Sequence, residues 1–275
     1  MRAALVQLTS SDDPHENAET LLRRIDEASA AGATLIATPE VTNCVSRDRA
    51  HQRAVLRPEA EDPVLRAARD AAARHGVWIA LGSLALALPE EDRFANRSLL
   101  LAPDGGIAAR YDKIHMFDVE VSAEEKFRES AAFRPGTRAV VAQAGEVCLG
   151  LTVCYDLRFA HLYRALARAG AQVLMVPAAF SPVTGAAHWE VLLRARAIET
   201  GCFVLAAAQT GTHPATAGPP RKTWGHSLAV APWGEVLARG GTAPGVTMVD
   251  LDLAQVAESR RRVPALTHDR DFEAP

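Results

Sequence analysis

Short apolar runs alternating with capped helical patterns constrain this chain more than any other feature. Asp13-Pro14 and Asp62-Pro63 each stand at the head of a helical pattern, as an N-cap followed by a first-turn proline. The first pattern lines up Leu21, Leu22, Ile25 and Ala28 on one face and stops at Gly32; the second ends at His75-Gly76. Between and after them lie apolar runs too short for helices: Met1 to Leu8, Thr34 to Thr38, Val77 to Ser83, Val173 to Val176 and Phe203 to Ala208. Phe94 to Leu101 and Ile107 to Tyr111 flank Pro103-Asp104-Gly105-Gly106, a hairpin signal. Ala139 to Ala142 and Val147 to Val153 read as a further strand pair. Ser227 to Leu237 reads as a hairpin turning at Pro232-Trp233-Gly234, and Val246 to Leu251 as a last strand. Strands alternating with helices, with hairpins interspersed, predict an α/β layered sandwich of mixed sheets with helices outside. No linker, charge block or repeat breaks the pattern, so residues 1–275 read as one domain.

Composition narrows the function classes. With 48% hydrophobic residues the chain can build a sizeable core. A formal net charge of −3 gives no reason to expect nucleic acid or an anionic membrane as partner. No apolar run approaches the ~20 residues that span a bilayer. Met1-Arg2-Ala3-Ala4-Leu5-Val6-Gln7 reads as a first strand and not as a signal peptide, so a cytoplasmic location is expected. Cys44, Cys148, Cys154 and Cys202 form no CxxC pair, and the nine histidines are dispersed, so no metal site or disulfide framework is expected. There is no glycine-rich phosphate loop, and no cofactor is expected.

Chemistry gathers around Cys148 to Arg158. An apolar run (Leu149, Leu151, Val153) ends at Cys154, and a helical pattern follows from Phe159, Leu162, Tyr163 and Leu166 to Gly170. Cys154 thus sits where a strand hands over to a helix, a place that can hold a nucleophile near helix-start N–H groups. Glu40 and Lys113 share that address, each following a strand. A carboxylate can move the thiol's proton to a leaving amine; an ammonium can depress the thiol pKa and stabilise an oxyanion. Taken singly, the three residues have plainer readings: a small core residue, a loop carboxylate, a solvated surface charge. Asp112 to Pro135 is long, polar and poorly periodic, a functional rather than an idle stretch. Pro177 to Gly185 reads as loop, His188 to Glu199 as helix, and Gly211 to Pro220 as a Gly/Pro-rich loop.

Three signatures in order, Pro39-Glu40, Tyr111-Asp112-Lys113-Ile114-His115 and Val153-Cys154-Tyr155-Asp156-Leu157-Arg158-Phe159, make the chain resemble the nitrilase, or carbon–nitrogen hydrolase, superfamily over essentially its whole length. The resemblance implies a four-layer αββα sandwich and a Glu40–Lys113–Cys154 triad. It implies a second glutamate, matched here by Glu129 in Phe127-Arg128-Glu129-Ser130, and an oxyanion hole of Lys113 and the N–H of Tyr155. Lys113 to Asp118, Thr184 to Glu199 and Trp224-Gly225-His226-Ser227 resemble the Nit branch, which holds deaminated-glutathione amidases and ω-amidases. The resemblance therefore implies hydrolysis, through a thioester, of a small amide that carries a carboxylate, in a homodimer or larger homo-oligomer. Ala160-His161 stands where branch members commonly have proline and glutamate, and Ser122 to Lys126 lacks a glycine often found there.

Arg158 is a candidate carboxylate clamp, with an ion pair to Asp156 as its structural alternative. Phe180, Thr184 and His188 are candidate pocket-wall residues. His115 and His226 read as structural hydrogen-bonders. The alternatives to deaminated glutathione are 2-oxoglutaramate or an N-carbamoyl amine as substrate. A catalytically silent binding protein on the same fold is the reading from a different class.

Overall fold

The computed structural model describes residues 1–121 and 126–273. Two sheets form the centre. The first runs in the order Gly245–Asp250, Arg2–Gln7, Leu35–Ala37, Trp78–Leu86, Phe94–Leu101, Ile107–Asp112, with Phe133–Arg134 beside Phe94–Leu101. The second runs Val236–Arg239, Leu228–Val230, Phe203–Ala206, Val173–Met175, Val147–Leu151, Val140–Ala144. In each sheet three central strands are parallel and the outer pairs antiparallel, apart from Phe133–Arg134, which runs parallel to Phe94–Leu101. Helices supply the parallel crossovers: α1 (Pro14–Ala30), α2 (Arg49–Val55) with α3 (Pro63–His75), α4 (Ala160–Arg168) and α5 (Pro182–Thr200); α6 (Ala254–Arg262) follows the last strand. No helix among the described residues is long and apolar enough to cross a membrane.

Side-chain alternation sorts the layers. In the first sheet Ala3, Leu5, Leu35, Ala37 and Ala80 turn to one face and share a core with Leu149, Leu151, Val173 and Met175 of the second. Their neighbours Ala4, Val6, Ile36, Ile79 and Leu81 turn the other way, onto Leu21 and Ile25 of α1 and Leu65 and Ala68 of α3. Leu162 and Leu166 of α4 and Trp189 and Leu193 of α5 cover the second sheet. The result is the expected four-layer αββα sandwich.

Local signals set several boundaries. The carboxylates of Asp13 and Asp62 accept from the N–H of His15 and Leu65, capping α1 and α3. Gly76 ends α3 in the left-handed region at φ +64°. Other boundaries differ from the sequence reading. α5 starts at Pro182 and not at His188, because Ser181-Pro182 repeats the proline-led start of α1 and α3. Helix α2 gives too short a pattern to register in sequence; Asp48 caps it by accepting from His51 N–H. The Gly/Pro-rich loop is flanked by a small hairpin of Thr210–Thr212 with Lys222–Trp224. The polar stretch after Asp112 holds a second small hairpin, Asp118–Glu120 with Lys126–Arg128.

Candidate active site

Glu40 lies just past the strand Leu35–Ala37, where the chain turns through Val41 at φ +47°. It is 4% exposed. Its Oε1 accepts from Lys113 Nζ at 2.9 Å and from Asn96 Nδ2 at 3.0 Å, and its Oε2 from the Ala179 N–H at 2.9 Å. Lys113 follows Ile107–Asp112 and is 2% exposed. Its ammonium also reaches both oxygens of Glu129 at 2.8 Å. Glu129 is held in turn by the Phe117 N–H at 2.6 Å and by Asn96 Nδ2 at 3.3 Å. One lysine is thus clamped between two carboxylates that a single buried amide bridges.

Cys154 opens a short 3-10 turn, Cys154–Arg158, after the strand Val147–Leu151. Its backbone is in the left-handed region, φ +51°, and its N–H donates to Pro177 O at 2.9 Å. Asp156, wholly buried, pins the turn. It accepts from Val153 N–H at 2.8 Å, Tyr111 Oη at 2.6 Å and His115 N–H at 3.1 Å, and meets His115 Nδ1 at 2.7 Å. His115 stacks on Phe159, and His226 Nδ1 lies 2.8 Å from Trp224 O.

Electrostatics divide the roles. Burial opposes the Lys113 charge, but Glu129, Glu40 and Cys154 together outweigh it and hold the ammonium above the usual lysine range. Burial would raise Glu40; the charges of Lys113 and Arg221 overcome that and set it below the usual carboxylate range. For Cys154 burial dominates, the Glu40 charge adds to it, and Lys113 opposes both without prevailing. The thiol is therefore pushed well above its ordinary range and is protonated at rest, hydrogen-bonded to Glu40. Lys113 does act to lower it, as expected, but burial and Glu40 outweigh that contribution.

These side chains line one cavity of about 290 Å³, of a size for a small molecule. Tyr155, Phe180 and Thr184 line it too, and Thr184 Oγ1 is buried with no hydrogen-bond partner among the described residues. Arg158 and His188 do not line it, contrary to the sequence reading. Arg158 stands 5.9 Å from the Tyr155 ring and 5.7 Å from the Phe180 ring, its Nη2 3.3 Å from His188 Nδ1. Nor does Arg158 pair with Asp156, whose oxygens are taken by other partners.

Among the lining residues that escaped the sequence reading are two that hydrogen-bond to Glu40 or to its neighbour Ala179. Asn96 shows there only as a polar residue inside an apolar strand, which is the signal that could have found it. Arg221 follows Pro219-Pro220 at the end of a loop, with nothing to mark it. The missing glycine between Ser122 and Lys126 falls on residues 122–125, outside the described residues.

Comparison with known proteins identifies the family and the fold. Residues 2–261 match the family model described as carbon-nitrogen hydrolase. A deaminated glutathione amidase of Yersinia enterocolitica is 40% identical over 269 residues, which is 97% of this chain and 92% of that one. The crystal structure of the Caenorhabditis elegans NitFhit protein matches with a TM-score of 0.89 at 33% identity, over 98% of this chain and 65% of that one. A glutamate-to-glutamine mutant of the amidase from Nesterenkonia sp. AN1, with acrylamide added at its active-site cysteine, matches with a TM-score of 0.77 at 30% identity, over 96% of this chain and 98% of that one.

Proposed function

The chain belongs to the carbon–nitrogen hydrolase family, and from that premise we propose that it is a cysteine amidase whose substrate is deaminated glutathione. One observation carries the reading: Lys113 Nζ lies 2.9 Å from Glu40 and 2.8 Å from Glu129 in the cavity that also holds the Cys154 thiol. The similarity to the Yersinia deaminated glutathione amidase supports the substrate.

Glu40 is the general base. Below its ordinary range it is ionised at neutral pH and takes the Cys154 proton as sulfur attacks the amide carbonyl. Lys113 Nζ and the Tyr155 N–H hold the oxyanion. Glu129 and Asn96 fix the lysine and the base. Glu40 then gives its proton to the leaving nitrogen, the C–N bond breaks, and a thioester remains on Cys154. Water, deprotonated by Glu40, releases the acid and returns a proton to sulfur. Thr184 Oγ1 and Phe180 flank the bound amide. Arg158 supports the wall from behind Tyr155 and Phe180, with His188 beside it.

We also read residues 1–275 as one such domain, cytoplasmic, with four free thiols consistent with a reducing compartment. Val183, Val191 and Ile198 are exposed along one side of α5, which supports self-association through α4 and α5. A sedimentation mass near 29.4 kDa would contradict that.

The test is a substrate panel on the purified protein. Release of cysteinylglycine from deaminated glutathione, and of ammonia from 2-oxoglutaramate, an N-carbamoyl amine and a nitrile, would be followed in wild type and Cys154→Ser. Preference for deaminated glutathione, lost in the variant, is expected. Preference for another amide would keep the chemistry and replace the substrate.

A further inference from the structure

Arg221 stands at the end of the segment that joins Thr210–Thr212 to Lys222–Trp224. That segment is firmly tied. His213 N–H donates to Arg221 O at 2.9 Å, and the buried His213 ring sits between Ser10 O at 2.8 Å and Thr223 Oγ1 at 2.7 Å. Asp12 accepts from the N–H groups of Thr216 and Ala217 and from Thr216 Oγ1. The guanidinium so placed lines the catalytic cavity and donates from Nη2 to Ala179 O at 2.7 Å. Ala179 is the residue whose N–H donates to Glu40 Oε2. Arg221 and the base therefore grip opposite ends of one residue, on the same wall.

No carboxylate among the described residues forms an ion pair with Arg221, whereas Lys113, on the far side of Glu40, has two. A cation in a small cavity, with a rigid backbone and unused N–H donors, is a ready partner for a bidentate anion. Its position says which part of the substrate that anion belongs to. Glu40 must hand its proton to the leaving nitrogen, so the leaving group lies on the Glu40 side of the carbonyl, where Arg221 is.

We propose that Arg221 is a specificity-determining residue that binds the carboxylate at the far end of the leaving group. This rests on the amidase reading above and deepens it. Cysteinylglycine carries such a carboxylate; ammonia, the leaving group of a primary amide, carries nothing. Arg221 then sets the enzyme's preference for a peptide-like amide over a primary amide bearing the same acyl group.

The test uses three substrates with one acyl group: deaminated glutathione, the same molecule with its glycine carboxylate amidated, and 2-oxoglutaramate. Steady-state constants would be measured for wild type, Arg221→Gln and Arg221→Lys. In Arg221→Gln, kcat/KM for deaminated glutathione should fall at least about tenfold further than for 2-oxoglutaramate, mainly through KM. Arg221→Lys should recover part of the loss. In wild type, amidating the glycine carboxylate should cost a similar factor, a comparison that needs no variant to fold. In Arg221→Gln the acid and its amide should be hydrolysed almost equally. Equal losses on all three substrates would overturn the assignment, placing Arg221 on the acyl side or at the base. A wild type that hydrolyses 2-oxoglutaramate but ignores deaminated glutathione would overturn the substrate reading and this inference with it, and that outcome is separate from the first.

Discussion

Asn96 donates one amide hydrogen to Glu40 Oε1 at 3.0 Å from a side chain that is 2% exposed. Its second N–H partner is Glu129 Oε1 at 3.3 Å, so the same amide holds both carboxylates that face Lys113. An amide oxygen could not do this, since it would meet carboxylate oxygens with lone pairs. The orientation is therefore fixed by chemistry. Asn96 touches no reacting atom; it is a positioning residue.

Replacing Asn96 with leucine, which is close to it in size, removes both hydrogen bonds and leaves the carboxylates oriented by fewer donors. A fall in kcat of about 10- to 100-fold is expected, with KM little changed. The acid limb of the kcat/KM profile should also move to higher pH, because a carboxylate that loses a donor is less easily ionised. A purely structural role would not move that limb. Activity within about threefold of wild type, on an unshifted profile, would remove Asn96 from the machinery.

Glu40 has opposite effects on turnover and on the resting thiol. Its charge and its hydrogen bond both help to push the Cys154 pKa upward. Glu40→Gln should therefore reduce amide hydrolysis by about 10²-fold or more, yet raise the thiolate fraction at pH 7, because the Glu40 charge and hydrogen bond that push the thiol up are gone while Lys113, still paired with Glu129, continues to lower it. Alkylation of Cys154 by iodoacetamide should become faster, its pH profile displaced downward. Alkylation that slows in parallel with turnover would contradict the assigned electrostatics.

How far the sequence revealed this arrangement depends on how local the cause is. Helix α3 was legible to the residue, because Asp62-Pro63 caps it and Gly76 ends it through contacts a few residues long. The strand ends that carry Glu40, Lys113 and Cys154 were legible because each is an apolar run that stops. What was not legible depends on contacts across the chain. Asn96 meets Glu40 across 56 positions, and Arg221 meets Ala179 across 42. The direction of the Cys154 shift is set mainly by burial, which the sequence does not state; the charge of Lys113 alone suggests the opposite sign. Arg158, two residues before α4 begins, was placed in the pocket by its nearness to Cys154 in sequence, but the 3-10 turn between them carries it behind the wall.

His213 gives the fold a definite pH response. Its Nδ1 faces a carbonyl oxygen, which only accepts, so that nitrogen carries the proton and Nε2 accepts from Thr223 Oγ1. The neutral ring fits; burial first, then the nearby Arg221 charge, depress its pKa from 6.5 to about 4. The sign follows from linkage. Below pH 6.5 the unfolded chain takes up a proton that the folded chain refuses, so stability is lost as the pH falls from 6.5 towards 4. The loss reaches about 3 kcal/mol. Urea unfolding of wild type and His213→Gln should show it: the variant, though less stable at pH 7, should lose about 3 kcal/mol less over that interval. Parallel curves would mean His213 titrates normally.

The nucleophile sits in a strained backbone. Cys154 has φ +51°, a region that costs a residue with a Cβ about 1 kcal/mol or more and costs glycine nothing. The strain is held by its surroundings: the Cys154 N–H is bound to Pro177 O, and Asp156 pins the following turn from within. Replacing Cys154 with alanine removes the sulfur and keeps the strain; replacing it with glycine removes both. Neither variant can form a thioester, so neither should turn over substrate. Their stabilities should nevertheless differ in an unusual direction. At an ordinary buried strand or helix position glycine is the less stable of the two, by roughly 0.5–1 kcal/mol. Here Cys154→Gly should be the more stable, by about 0.5–1 kcal/mol, with a melting temperature above that of Cys154→Ala. A glycine variant that melts below the alanine variant would show that the turn at Cys154 is relaxed, and that the thiol is held in place by packing alone and not against backbone strain.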